Sequence, residues 1–174
     1  QNRDESRYCR EVVAFKLKEM APMADAVRLG LETQIPPAAL SLLRWSDLEK
    51  AVCGSPTIDL TLLKSCTDYS GCSSTDRHVA LFWQVMEQDF TQHDLKAFVR
   101  FTWGRSRLPL TKSGFSQMLK IQRANRQPPD NYLPVAHTCF FSIELPAYSS
   151  REIMRTKLQY AIHNCTEVDG DETG

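Results

Sequence analysis

One thiol stands out for its setting: Cys139, two residues after a histidine, in Leu133-Pro-Val-Ala-His137-Thr138-Cys139-Phe140-Phe141. A cysteine thiolate is a covalent nucleophile, and an imidazolium beside it raises the thiolate fraction. In an extended segment residues two apart share a face, so His137 and Cys139 are expected to project together. A Pro-containing loop precedes them and an apolar strand, 140–145, follows. That places the thiol at a loop–strand junction, within reach of a large partner. The competing reading is a buried strand face of Cys139, Phe141, Ile143 and Leu145, since free cysteine is commonly a small core residue. Periodicity alone does not separate the two.

Other residues capable of chemistry carry less. The six cysteines (Cys9, Cys53, Cys66, Cys72, Cys139, Cys165) are too sparse for a disulfide scaffold. Cys66 and Cys72 are spaced more widely than a zinc hairpin, and no second pair matches them. Reduced thiols, and with them a cytoplasmic or nuclear setting, are the expectation. His78, His93 and His163 are far apart in sequence, so surface or capping roles are favoured over a metal site. Three arginines between 100 and 107 surround Trp103 and Gly104 and suit a helix C-terminus better than a phosphate site. There is no Gly-rich phosphate loop, and neither a cofactor nor a metal is expected. Formal net charge is zero, which argues against nucleic acid as a partner. No apolar run reaches the roughly 18–20 residues that span a bilayer, so no membrane role is expected. The N-terminus is polar and lacks Met, and the chain reads as a piece of a longer protein.

These residues need elements to position them, and 42% hydrophobic residues over 174 positions can supply a core. Helical apolar spacing predicts a helix over 5–33, kinked or restarted at Pro22, then a short one over 37–43. Ser46-Asp-Leu-Glu49 has capping-box spacing and opens another, with Leu48 and Val52 expected inward. Gly54 suits a left-handed C-cap and Pro56 blocks continuation, so Cys53-Gly-Ser-Pro56 reads as a hinge. Beyond it, helices are expected over 59–65, 75–90, 94–103 and 149–164, and strands over 118–122 and 140–145. Residues 69–71 read as a turn or short extended piece, and 128–130 as a loop. The result is an α+β fold of mixed layers.

The ordered motifs resemble HECT-type ubiquitin ligases. Leu133-Pro-Val-Ala-His137-Thr138-Cys139-Phe140, followed by Leu145-Pro-Ala-Tyr148-Ser-Ser, is similar to that family's active-cysteine signature. Phe101-Thr-Trp-Gly104-Arg-Ser-Arg107-Leu-Pro109 resembles its phenylalanine, glycine, arginine, proline segment. Ile35-Pro-Pro-Ala-Ala-Leu-Ser-Leu-Leu and Leu48-Glu-Lys-Ala-Val-Cys-Gly54 resemble the last helices of its N-lobe, and Phe82-Trp83 an aromatic pair on the first long C-lobe helix. The likeness covers about 30–165 and looks closest to the giant ligases that include the HERC group.

The resemblance implies that 1–54 are the helical end of an incomplete N-lobe. It makes 55–168 a C-lobe, a small sheet flanked by helices, and 169–174 a flexible acidic tail. Cys139 would take ubiquitin from an E2 thioester and pass it to a substrate lysine, with the E2 bound through the N-lobe. His137, Thr138 and Phe140 would support the site. Glu144 lies where relatives carry an acidic residue, although strict alternation directs it away from Cys139. Many relatives have asparagine at the position of Phe141, and many carry a phenylalanine four residues from the C-terminus that this chain lacks. The alternatives are an inactive HECT-like module that binds ubiquitin or protein partners, and a cysteine hydrolase. The hydrolase is disfavoured because His163, the one histidine downstream, sits near the end of a helix.

Overall fold

The computed structural model describes residues 2–164. The chain divides into two units, Gln1–Leu48 and Glu49–Gly174. In the first, α1 (Asn2–Glu32) runs as one helix through Pro22, and α2 (Pro37–Leu40) follows at Pro36-Pro37, where proline suits a first helical turn. Helix α1 leaves Val13, Phe15, Leu17, Met20, Met23 and Val27 exposed. Helix α3 (Trp45–Cys53) crosses the boundary between the units. Leu48 is half-buried as expected, but Val52 is 72% exposed, so the inward placement expected for it is wrong. Among the described residues, no helix is long and apolar enough to cross a membrane.

The second unit is α+β. Its four-stranded sheet has the order β1-β2-β4-β3, with β1 (Thr67–Ser70), β2 (Leu119–Ala124) and β4 (Ser142–Pro146) parallel and β3 (Val135–His137) antiparallel to β4. Parallel neighbours need long crossovers. The chain between β1 and β2 accordingly carries α5 (Arg77–Gln84), a π-helical turn (Val85–Asp89) and α6 (Gln92–Trp103). Helix α4 (Leu60–Ser65) precedes the sheet and α7 (Arg151–Asn164) closes it.

Each element follows from its residues. Asp59 caps α4 by accepting from the Thr61 and Leu62 amides. Thr91 and Asp94 form a full capping box on α6, and Gly104, with φ 74°, ends it in the left-handed conformation. Leu95, Phe98, Val99, Thr102 and Trp103 recur at i, i+3, i+4, i+7 and i+8 and form the buried stripe of α6. Leu95, Phe98, Val99 and Trp103 meet Phe82 and Met86 from α5 and the π turn, Ile121 and Ile143 from the sheet, and Met154 and Leu158 from α7 in one core. Arg151 closes the assembly, donating through Nε and Nη2 to the two Asp89 oxygens at 2.8 and 2.9 Å.

Three expectations change. The helix expected over 75–90 starts at Arg77, and its last turn is π-helical. The strand expected over 140–145 begins two residues later, because Thr138–Phe140 form a 3-10 turn. Strand β3 was not anticipated, since three residues are too few to show alternation.

Candidate functional site

Strands β3 and β4 form a hairpin, and the turn at its tip carries Cys139. Backbone pairing runs Val135 with Glu144, Ala136 with Ile143 and His137 with Ser142, leaving 138–141 to reverse the chain. Cys139 is the middle residue of the 3-10 turn and is exposed, between half-buried Thr138 and Phe140, which is 72% exposed. Among the described residues, its Sγ has no hydrogen-bond partner. The thiol is therefore a turn-tip group and not part of a buried strand face.

Phe141 anchors this turn. Its backbone is left-handed (φ 44°, ψ 54°), and it is the one described non-glycine residue with positive φ. Such a conformation costs a bulky residue on the order of 1–3 kcal/mol. The offset is visible: the side chain is fully buried and stacks on Trp103, with centroids 4.1 Å apart and planes 8° from parallel. Burying a phenylalanine contributes about 1.5–3 kcal/mol and an aromatic pair about 0.5–1.5 more, enough to hold the strained residue. On the backbone, the Phe141 amide donates to Thr138 O at 3.4 Å, and its carbonyl accepts from the Lys120 amide of β2 at 2.9 Å. Trp103 also stacks against Phe115 (5.7 Å) and carries the Arg105 guanidinium over its ring at 4.5 Å. The arginine-rich segment thus props the platform beneath the turn.

The loop before β3 is tied to the chain after β4. Asp130 accepts from the Ser149 amide at 2.9 Å and from its hydroxyl at 2.6 Å, and these bonds, the hydroxyl first, hold its carboxyl below the usual range. Tyr148 donates to Tyr132 O at 2.8 Å, and burial raises its phenol well above the ordinary value. Both ends of the hairpin are fixed, while the tip carrying Cys139 stands free.

Among the described residues, no hydrogen bond joins His137 to Cys139. His137 ends β3 and Cys139 lies in the turn, so the two-residue rule for extended chain fails between them. His137 Nε2 instead lies 3.3 Å from Glu144 Oε1, across the hairpin. The alternation that directed Glu144 away from Cys139 fails for the same reason. Sequence reasoning missed the His137–Glu144 pair and the Trp103–Phe141 stack, both of which depend on the unseen strand β3 or on the tertiary fold.

The remaining thiols and histidines sort by burial. Cys9 and Cys53 are exposed and Cys66 is buried; these and Cys72 are free, while Cys165 lies outside the described residues, as does the acidic 169–174 segment. Burial raises the Cys72 thiol, which makes it a poor nucleophile. His78 is buried, not a surface or capping residue, and among the described residues its Nε2 has no hydrogen-bond partner. At the start of the second unit, Gly54 is left-handed (φ 87°), and a Cβ there would meet Leu108 O at 2.3 Å. The Ser55 amide donates to Leu108 O at 2.9 Å, and Arg107 donates to Glu49 at 2.6 Å.

A family model described as HECT-domain (ubiquitin-transferase) matches residues 1–169. The chain belongs to the HECT family. It is 41% identical over 169 residues to the mouse E3 ubiquitin-protein ligase HERC2, covering 96% of this chain and 4% of that protein. The human HERC2 is 40% identical with the same coverage, and the mouse E3 ubiquitin-protein ligase HUWE1 is 36% identical over 149 residues, 81% of this chain and 3% of its own length. The chain thus spans about 4% of the curated relatives it matches first. Within this HECT chain, the α+β second unit agrees with the small helix-flanked sheet that the resemblance implied.

Proposed function

We propose that this HECT chain is the catalytic portion of an E3 ubiquitin ligase in which Cys139 carries ubiquitin as a thioester. The observation that supports it is the exposed, unpartnered thiol at the tip of a hairpin whose base is rigidly held. A carrier must present its sulfur successively to two large proteins, and a projecting turn does so with little steric cost. The Cys139 thiolate attacks the carbonyl carbon of the E2-bound ubiquitin thioester. A new C–S bond forms, and the E2 thiolate leaves. A neutral substrate lysine then attacks that carbonyl, the Cys139 thiolate departs, and the lysine nitrogen loses a proton to form the isopeptide. Exchange between thioesters is nearly isoenergetic, so positioning dominates the first step.

In this reading Thr138 and Phe140 shape the approach to the sulfur, and the His137–Glu144 pair keeps the hairpin mouth polar. Residues 53–56, at the start of the second unit, act as the hinge that lets the carrier move, and the Ser55–Leu108 bond opens as they do. The partners are ubiquitin, an E2 and protein substrates, and unpaired thiols suit a cytoplasmic or nuclear setting.

Ubiquitin bearing a C-terminal thiol-reactive group tests the assignment of the nucleophile. One adduct should form, mapped to Cys139 by peptide mass and absent in Cys139→Ala. Equal labelling of Cys9 and Cys53, also exposed, would show that exposure alone governs the reaction.

A further inference from the structure

His93 and Asp94 lie in the first turn of α6, and His163 lies in the last turn of α7. Packing of these helices gathers the three. His163 Nε2 is 2.9 Å from Asp94 Oδ1, and the His93 and His163 rings stack with centroids 5.6 Å apart and planes 10° from parallel. One ligand atom from each side chain lies within 4.8 Å of the others. The Asp94 oxygens divide their work. Oδ2 accepts from the Thr91 amide and hydroxyl at 2.9 and 2.6 Å, which fixes the carboxylate plane, while Oδ1 faces the imidazoles.

A simple staple between helices accounts for part of this arrangement. An Asp94–His163 hydrogen bond satisfies those two side chains, yet His93, stacked flat on His163, has no hydrogen-bond partner among the described residues. One divalent cation can take a nitrogen from each ring together with Asp94 Oδ1. Two imidazoles and a carboxylate are a borderline donor set suited to zinc, which takes nitrogen and oxygen ligands at about 2.0–2.2 Å. Donors so bound sit roughly 3.3–3.5 Å apart in a tetrahedral shell. To reach that spacing the Asp94–His163 pair must open from 2.9 Å and the exposed His93 ring must rotate inward, and its exposure leaves room for water as the fourth ligand. Thr91, bonded to the carboxylate, supplies the outer support that metal-ligating groups commonly have.

We infer that His93, Asp94 and His163 form a zinc-class metal site that fastens the start of α6 to the end of α7. Zinc titrated into the chain, followed by the ring ¹H–¹⁵N correlations of its four histidines, tests this. At one equivalent the His93 and His163 rings should shift together, and those of His78 and His137 should not. His93→Gln and His163→Gln leave the Thr91–Asp94 capping box in place, and each should weaken binding by more than about tenfold. Ring signals of both residues that stay put, a shift in one alone, or variants that bind zinc as tightly as the parent would overturn the inference. Because the rings are read individually, zinc captured by the exposed thiols is not mistaken for this site.

Discussion

Phe141 decides whether Cys139 is a defined site or a floppy loop. A phenylalanine at φ 44° persists because the stack on Trp103 and full burial outweigh the backbone cost. Asparagine, which the resemblance led one to expect here, would meet this geometry more easily, since its short polar side chain tolerates the left-handed region. This chain replaces that ease with aromatic packing. Phe141→Ala should lower stability by about 3–5 kcal/mol in urea unfolding, with loss of the ubiquitin acceptance proposed for Cys139. A drop under about 1 kcal/mol would show that the stack does not anchor the turn. None of this was legible locally: Cys139, Phe141, Ile143 and Leu145 alternate as a continuous strand would, and nothing in the sequence announces a left-handed phenylalanine. The resemblance singled out Cys139 as a candidate, and the structure supplies its turn.

At the scale of elements, long amphipathic segments were readable and short ones were not. The apolar spacing of α6 predicted it nearly to its ends and Gly104 marked its stop, while its Thr91–Asp94 capping box went unread. Strand β3, three residues long with no buried member, left no pattern, and so the hairpin that presents Cys139 went unseen. The π-helical turn Val85–Asp89 escaped as well, because the same apolar spacing serves an α-helix. Gly54 was legible as a cap, but its second role was not: it lies against the Leu108 carbonyl, beside the Glu49–Arg107 pair. Gly54→Ala combines a left-handed backbone with a Cβ 2.3 Å from that oxygen, so the Ser55–Leu108 bond must break or the 105–110 segment must shift. The expected loss is at least about 1 kcal/mol, read as a lower thermal midpoint. An unchanged midpoint would mean that this contact is not maintained in solution.

Across the whole molecule, titrating groups make folding sensitive to acid. Burial lowers the pKa of His78, so the unfolded chain binds its proton first as pH falls. The stabilisation from keeping that ring neutral is complete above about pH 6.5 and is lost as pH drops through the depressed folded value. Asp76, Asp89, Asp94 and Asp130 are lowered too; for Asp89 the main cause is the bond from Arg151. Their contribution is complete above the unfolded value near 4 and declines below it. Urea midpoints should therefore fall between pH 7 and 5, then again below pH 4. His78→Leu removes the orphaned ring and should flatten the first decline alone; a decline that persists unchanged would assign it to another group. The most direct test of the central claim joins this chain to a complete HECT N-lobe and mixes it with ubiquitin, E1 and a panel of E2 enzymes. The expected result is a thiol-sensitive ubiquitin adduct that peptide mass maps to Cys139 and that Cys139→Ala abolishes. An adduct surviving that substitution would contradict the nucleophile, and no adduct with any E2 would leave a HECT module that binds partners without carrying ubiquitin.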